Sequence, residues 1–154
     1  MYIPHYYRLV KGVGKAETPL LAFDAALRVA GVGDYNLVKV SSILPANSVE
    51  KDKVDLQVGA LLPIVYSYYT KLGGEAPIVA AVALGIPEDR DKVGVIMEIS
   101  GEMDEHIACD RVRRMVIEAM QVRGNKAFDI KVVSSVIVPD KTLYTCVFAG
   151  VALW

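Results

Sequence analysis

The feature that most constrains this chain is a run of nine apolar residues at positions 78–86, which no polar side chain interrupts. A strand with one exposed face alternates apolar and polar residues, whereas this run is apolar on both faces. Positions 93–99 show the same pattern, with Glu98 as the single charged residue. The chain also contains 23 valines and 11 isoleucines, whose β-branched side chains favour strands. Strands of this kind must be covered on both sides, which predicts packed sheets with helices outside them.

Two segments have the pattern of helices with clear ends. In the first, Thr18 can cap the helix, Pro19 suits its first position, and Gly31 suits a left-handed stop. The second helix is predicted over about residues 104–123, with Gly124 just past its end. Its predicted apolar stripe consists of Ala108, Val112, Met115, Val116 and Ala119.

Further strands surround these helices, for a predicted total of about six or seven. They are expected near residues 3–13, 37–43, 61–70, 130–138 and 143–153, while the polar segment 46–55 is predicted as a surface loop. No repeat or linker divides the 154 residues, so the sequence predicts one domain over 1–154. We interpret the chain as an α+β protein, a layered αββα sandwich of mostly antiparallel sheets with outer helices.

Composition excludes several classes of protein. The net charge is −1, so the chain has no surplus of basic residues for nucleic acid or an anionic membrane. The longest uncharged stretch has fifteen residues, 56–70, short of the roughly 20 that a membrane-spanning helix needs. Two cysteines without a CxxC motif suggest a reducing, cytoplasmic location. His5 and His106 lie in no metal-ligand pattern, so we expect no metal site.

Two glycine-containing segments are similar to nucleotide-binding loops but lack residues that define them. Gly12-Val13-Gly14-Lys15 lacks the earlier glycine and the following hydroxyl residue of a phosphate loop. Gly31-Val32-Gly33 lacks the third glycine of a dinucleotide-binding loop. We therefore interpret both as ordinary turn glycines.

Three polar features interrupt otherwise apolar elements. Asp24 lies within or beside the stripe of the first helix, where it either pairs with Arg28 four residues later or requires another cation or donors. Glu98 either reaches solvent at a strand end or is buried with a raised pKa, which suits a general acid near neutral pH. Ser41 and Ser42 close a strand, where serines usually serve turns. Spacing alone leaves these alternatives open.

Several separated segments occur together in one order along the chain. They are Glu17-Thr-Pro-Leu-Leu-Ala-Phe-Asp24, Gly31-Val-Gly-Asp-Tyr-Asn36-Leu-Val-Lys-Val-Ser41-Ser42-Ile-Leu-Pro45, Gly59-Ala-Leu-Leu-Pro63, Ala81-Val-Ala-Leu-Gly-Ile-Pro87, Gly94-Val-Ile-Met-Glu98 and Phe148-Ala-Gly-Val-Ala-Leu-Trp154. In this combination, over nearly its whole length, the chain closely resembles the pyruvoyl-dependent arginine decarboxylases. Ala25 departs from the glycine expected after Asp24 in close relatives, which adds one methyl group near the predicted pocket.

The resemblance implies that the chain cleaves itself between Ser41 and Ser42. The Ser42 hydroxyl would attack the Ser41 carbonyl and convert the amide to an ester. β-Elimination and loss of ammonia would then leave a covalent pyruvoyl cofactor where Ser42 stood. The products would be residues 1–41 and a pyruvoyl-capped 42–154. By the same resemblance, Asn36 assists cleavage, with its amide polarising the scissile carbonyl.

The resemblance also implies a reaction, the decarboxylation of L-arginine to agmatine and carbon dioxide. The substrate would form a Schiff base with the pyruvoyl ketone, which acts as an electron sink. Glu98 matches the family's proton donor, and Asp24 matches the aspartate that binds the guanidinium group. By analogy with the family, the aliphatic part of the substrate would contact Leu27, Gly33, Tyr35 and Ile43.

Family members typically form trimers with active sites between neighbouring protomers, so the resemblance implies a homotrimer of cleaved chains. Two alternatives remain. One keeps the pyruvoyl chemistry with another amino acid such as aspartate or ornithine, although Asp24 argues against an anionic substrate. The other is a catalytically silent, uncleaved trimer that serves as a binding or scaffold protein.

Overall fold

The computed structural model describes all 154 residues, Met1–Trp154. The strands are β1 (Tyr6–Ala16), β2 (Asn36–Lys39), β3 (Ile43–Leu44), β4 (Val49–Glu50), β5 (Leu61–Leu72), β6 (Ile78–Pro87), β7 (Gly94–Glu102), β8 (Phe128–Ile137) and β9 (Tyr144–Leu153). The helices are α1 (Pro19–Val29) and α2 (Glu105–Val122). Neither helix combines the length and apolar composition that crossing a bilayer requires.

The strands form two sheets that pack face to face between the two helices. The five-stranded sheet has the order β2-β5-β9-β1-β4, and the four-stranded sheet has the order β3-β7-β6-β8. Helix α1 packs on the outer face of the five-stranded sheet, and α2 packs on the outer face of the four-stranded sheet. Five of the seven strand pairs are antiparallel. The predicted αββα sandwich of mostly antiparallel sheets is confirmed.

Strand β6 explains why the apolar run at 78–86 has no exposed face. All ten residues of this strand are buried. Its side chains alternate between two cores, so that Val82 and Leu84 face the five-stranded sheet while Ala81 and Ala83 face α2. Both faces of the strand are therefore covered, as the sequence predicts.

The predicted ends of the first helix are confirmed, and the stripe of the second is partly corrected. The main-chain N–H of Leu21 donates a 3.2 Å hydrogen bond to the Thr18 hydroxyl, and Gly31 has a φ of 79°. In α2, Met115 is 40% exposed, and Met120 takes its place in the core. The fully buried residues Ala108, Val112, Val116 and Met120 recur every four positions and follow the helix face that meets the sheet.

The interpretation of Gly12 and Gly14 as turn glycines is wrong. Both lie inside β1, where the backbone of α1 passes directly over the strand. A Cβ atom at Gly12 would lie 2.2 Å from the Ala26 carbonyl oxygen, and one at Gly14 would lie 2.3 Å from the Ala26 nitrogen. Glycine is needed here because the helix and the strand approach each other too closely for any side chain.

The predicted single strand over 37–43 is two strands that belong to different sheets. β2 pairs with β5 at the edge of the five-stranded sheet, and β3 pairs with β7 in the four-stranded sheet. The segment 46–55 is also not only a surface loop, because it contains β4 and the fully buried Ser48. In both cases the pairing partners lie far away in sequence, where a local pattern carries no information about them.

Candidate active site

The Ser41–Ser42 pair lies where the chain crosses from one sheet to the other. Only Val40, Ser41 and Ser42 separate β2 from β3. Two main-chain hydrogen bonds hold the ends of this crossover. The Val40 N–H donates to the Ile64 carbonyl at 3.0 Å, and the Ile96 N–H donates to the Ser42 carbonyl at 2.8 Å. The serine pair therefore bridges the two sheets, and a main-chain hydrogen bond to each sheet fixes the crossover at its two ends.

The peptide bond between the two serines has no hydrogen-bond partner in the chain. Neither the Ser41 carbonyl nor the Ser42 N–H takes part in a main-chain or side-chain hydrogen bond, and Ser41 is exposed. Most main-chain polar groups in folded proteins are paired, by protein or by water. A reaction at this peptide bond would therefore break no hydrogen bond of the fold.

Glu98 lies on β7 close to the strand position that holds Ser42. It is two residues beyond Ile96 and points to the same face, towards the core between the sheets. Two residues of a strand span about 7 Å. Burial raises the pKa of the Glu98 carboxyl, an effect that the positive charge of Lys39 partly offsets. The sequence alternative of a solvated strand-end glutamate therefore does not describe this half-buried side chain.

Lys39 precedes the crossover and was not singled out from the sequence. Its ammonium group lies 4.8 Å from the centre of the Tyr66 ring, a cation–π contact that holds the side chain over β5. The sequence did contain a signal for this residue, because Lys39 is the only charged side chain in the apolar segment just before the two serines.

The chain that follows Ser42 is held by the loop between β6 and β7. The Arg90 guanidinium donates to the Ser48 carbonyl, and the Asn47 N–H donates back to the Arg90 carbonyl at 2.9 Å. The Asn47 side-chain amide also donates to the Asp91 carboxylate at 3.2 Å. Because β3 is only two residues long, these contacts help to fix the residues beside Ser42. No local pattern could predict them, because they join segments more than 40 residues apart.

Asp24 forms the i,i+4 ion pair with Arg28 that the sequence left open as one alternative. The Arg28 Nε lies 3.0 Å from the Asp24 Oδ2, and the two side chains are 63% and 51% exposed. The buried side of α1 consists of Ala22, Ala26 and Leu27, so Asp24 lies beside the apolar stripe rather than within it. Leu27 is buried in the core under α1.

Gly33 and Tyr35 line a cavity of about 310 Å³ that follows α1. Arg28 also lines it, together with Asp34 and other residues of the loop. The Tyr35 hydroxyl lies 3.3 Å from the carbonyl oxygens of Val54 and Leu56, to which it can donate. Asp24, Gly33 and Tyr35 thus gather at the α1 side of the five-stranded sheet.

The structure of one chain does not bring all predicted site residues together. Ser42 lies at the crossover, Ile43 in β3 and Glu98 between the sheets, and all three are away from the α1 side of the five-stranded sheet where Asp24 lies. Asn36 begins β2, whereas Ser41 follows its end, and the five residue-to-residue steps from Asn36 to Ser41 span about 16 Å when extended. The Asn36 amide donates instead to the Gly59 carbonyl at 2.8 Å. Within one chain it does not reach the Ser41 carbonyl.

Comparisons with known proteins match almost the whole chain. The family model for pyruvoyl-dependent arginine decarboxylase (PvlArgDC) matches residues 6–154. A protein of that name from Methanocaldococcus jannaschii is 37% identical over 153 residues, which cover 99% of this chain and 91% of the relative. Proteins of the same name from Methanopyrus kandleri and Pyrococcus abyssi are 33% and 38% identical, covering 100% and 86% of this chain and 99% and 85% of the relatives.

Proposed function

The chain belongs to the pyruvoyl-dependent arginine decarboxylase family and is therefore an enzyme with a covalently bound pyruvoyl group, and we propose that it forms this group from its own Ser42. The observation that carries this assignment is the crossover geometry. On one side of the crossover, the Ser42 carbonyl accepts a hydrogen bond from Ile96, and on the other the Val40 N–H donates one to Ile64. The peptide bond between the two serines makes no hydrogen bond.

Cleavage follows from groups that this chain supplies. The Ser42 hydroxyl oxygen attacks the Ser41 carbonyl carbon, and the bond to the Ser42 nitrogen breaks, which leaves an ester and a free amine. Elimination of the Ser42 α-proton and of the ester oxygen releases Ser41 as a carboxylate. The resulting enamine at residue 42 would tautomerise to an imine, and water would hydrolyse that imine, supplying the ketone oxygen and releasing the nitrogen as ammonia. The products are residues 1–41 and 42–154.

The surroundings of Ser42 fit a pyruvoyl group. That group lacks the nitrogen of Ser42, and the Ser42 N–H makes no hydrogen bond that its loss would break. It retains the Ser42 carbonyl, to which the Ile96 N–H donates. When present, the ketone supplies a sink for the electrons that remain on the substrate as carbon dioxide leaves.

The cleaved fragments would stay together because residues 1–41 contribute two strands to the five-stranded sheet. Strand β1 lies between β9 and β4, and β2 pairs with β5 at the sheet edge. Residues of β1 pair with β9 along ten consecutive positions. Separation of residues 1–41 would break these main-chain hydrogen bonds and expose the core under α1.

The substrate we propose is L-arginine, with agmatine and carbon dioxide as products. Asp24 would bind the guanidinium group, a role for which a carboxylate is well suited because it can accept two hydrogen bonds from that planar cation. Glu98 would deliver the proton to the substrate α-carbon, since burial raises the pKa of its carboxyl and so favours the protonated form that can donate. Gly33, Tyr35 and Ile43 would contact the rest of the substrate, as would Leu27 if binding exposes it.

The site would be completed between copies of the chain. Asp24 and Glu98 lie on different sides of the five-stranded sheet, so one chain does not offer both to a single arginine molecule. We expect a trimer in which Asp24 of one protomer faces Ser42 and Glu98 of its neighbour. The same arrangement would give Asn36 a route to the Ser41 carbonyl of a neighbouring chain.

Two measurements test this function. Intact-mass analysis of the purified protein should show two fragments, with a mass loss at residue 42 that matches the pyruvoyl group. A single chain of about 16.8 kDa that persists on incubation would instead identify an uncleaved binding or scaffold protein. Carbon dioxide release should be fastest with arginine among arginine, ornithine, lysine and aspartate. Preference for aspartate would contradict the role of Asp24.

A further inference from the structure

The carboxylate proposed to bind the substrate guanidinium already binds a guanidinium group of the chain itself. Arg28 lies one helical turn after Asp24, and its Nε lies 3.0 Å from the Asp24 Oδ2. The Asp24 carboxylate forms no other ion pair and accepts no other side-chain hydrogen bond. The geometry of Asp24 is therefore already suited to the chemical group that arginine would present.

Arg28 also lies beside two of the other residues proposed to surround the substrate, Gly33 and Tyr35. Its side-chain stem lies against Gly33, where a Cβ atom would come within 2.6 Å of the Arg28 Cγ. Arg28 and Tyr35 line the same cavity of about 310 Å³. The Arg28 side chain thus lies between Asp24 and the loop that follows α1.

A second carboxylate lies at the same cavity. Asp34 lines the cavity with Arg28 and forms no ion pair. Arg28 is largely exposed, so its side chain can rotate without breaking contacts in a core. Asp34 offers the Arg28 guanidinium an alternative partner on release from Asp24.

We propose that Arg28 occupies the guanidinium subsite at Asp24 before substrate binds, and that arginine must displace it. This inference rests on the proposed function, which assigns the substrate guanidinium to Asp24. Arg28 then competes with the substrate guanidinium for Asp24 and weakens the apparent affinity for arginine. It does not take part in the chemical step.

The size of the effect follows from the exposure of the pair. Exposed i,i+4 ion pairs are weak, on the scale of about twofold in an equilibrium constant. Removing the Arg28 charge also removes its repulsion of the incoming guanidinium, which acts in the same direction. Both effects are electrostatic at an exposed site, so salt should diminish them.

The test compares Arg28→Leu with two controls. Leucine keeps an apolar side chain against Gly33 and favours the helix, but it cannot bind Asp24. Arg28→Lys keeps a competing charge. Arg114→Leu makes the same change on α2, at an exposed arginine that has no ion pair. If circular dichroism shows that Arg28→Leu is unfolded, Arg28→Gln is used in its place.

At low ionic strength, Arg28→Leu should lower the KM for arginine by about twofold or more at unchanged kcat. The dissociation constant of agmatine, measured by calorimetry, should fall by the same factor. Arg28→Lys and Arg114→Leu should match the wild type, and 0.5 M salt should reduce the difference. If the wild type is active but Arg28→Leu binds arginine and agmatine no more tightly than the wild type, the role of Arg28 is overturned and the proposed function is not. A wild type that releases no carbon dioxide from arginine overturns the proposed function, and the agmatine titration still reports on Arg28.

Discussion

The Ile96 N–H donates a 2.8 Å hydrogen bond to the Ser42 carbonyl oxygen, and so joins the crossover to the strand that carries Glu98. Both residues belong to the fragment 42–154, so this bond does not depend on the peptide bond before Ser42. Cleavage would leave residue 42 at a chain end that is still held on β7. The residue proposed to become the cofactor thereby keeps its place beside the proposed proton donor.

Replacement of Ser42 by alanine should give a folded, uncleaved protein. The variant loses only the attacking hydroxyl, while the carbonyl that accepts from Ile96 remains. Intact-mass analysis should show one chain. Ser41→Ala is the matched control and should still yield two fragments, because it keeps both the Ser42 hydroxyl and the scissile carbonyl. Fragments that end at residue 41 in Ser42→Ala would refute the assigned cleavage site.

Replacement of Glu98 by glutamine should permit cleavage but lower kcat by about 100-fold or more, the usual contribution of a general acid. In the wild type, kcat should fall as the pH rises through the raised pKa of Glu98, because only the protonated carboxyl can donate. This decline should be absent in Glu98→Gln. Glu102→Gln, on the same strand but exposed, is the control and should keep the wild-type profile. Undiminished turnover in Glu98→Gln would exclude the assigned role.

Replacement of Lys39 by methionine should shift the alkaline decline of kcat to higher pH. The Lys39 charge lowers the pKa of Glu98 against the effect of burial, so its removal lets that pKa rise further. Lys39→Arg keeps the charge and should keep the wild-type midpoint. Kinetics across a pH series would measure the shift. An identical midpoint in the methionine variant would show that Lys39 does not influence the titrating group.

Replacement of Arg90 by alanine should lower kcat by about tenfold with little change in KM. The Arg90 guanidinium donates to the Ser48 carbonyl and so steadies the segment after Ser42, and small displacements of a reacting group are costly. Arg90→Lys should restore part of the rate. Arg111→Ala removes an exposed arginine on α2 that forms no ion pair and serves as the control. A loss of thermal stability without a change in kcat would limit Arg90 to a structural role.

Replacement of Gly14 by alanine should destabilise the fold by about 3 kcal/mol, at the upper end of the cost of overpacking. The added Cβ would lie 2.3 Å from the Ala26 nitrogen and 2.4 Å from the Ala22 carbonyl oxygen, so α1 would have to move. Gly31→Ala is the comparison, because it meets open space and should cost only about 1 kcal/mol for its positive φ. Urea unfolding in the Ser42→Ala background would measure both variants on one chain. Equal losses would contradict the steric account.

Several parts of the fold follow from short stretches of sequence because their causes are local. Thr18 and Gly31 mark the ends of α1, Thr18 by accepting a hydrogen bond from the first turn and Gly31 by a left-handed backbone just after the last turn. The apolar run at 78–86 requires two covered faces whatever lies on them. The sequence therefore determined the helices, the buried strands and the layered sandwich.

Other parts depend on partners that the tertiary structure brings near. The predicted strand over 37–43 divides because Val40 bonds to Ile64 in one sheet and Ser42 to Ile96 in the other. The same nonlocal pairing places Glu98 beside the crossover, and leaves Asp24 across the five-stranded sheet from it. By itself the sequence indicated, through its resemblance to the family, which residues we propose for this chemistry. Only the tertiary structure decided that one chain separates them, because strand pairing over long sequence distances sets the side of the sheet on which each lies.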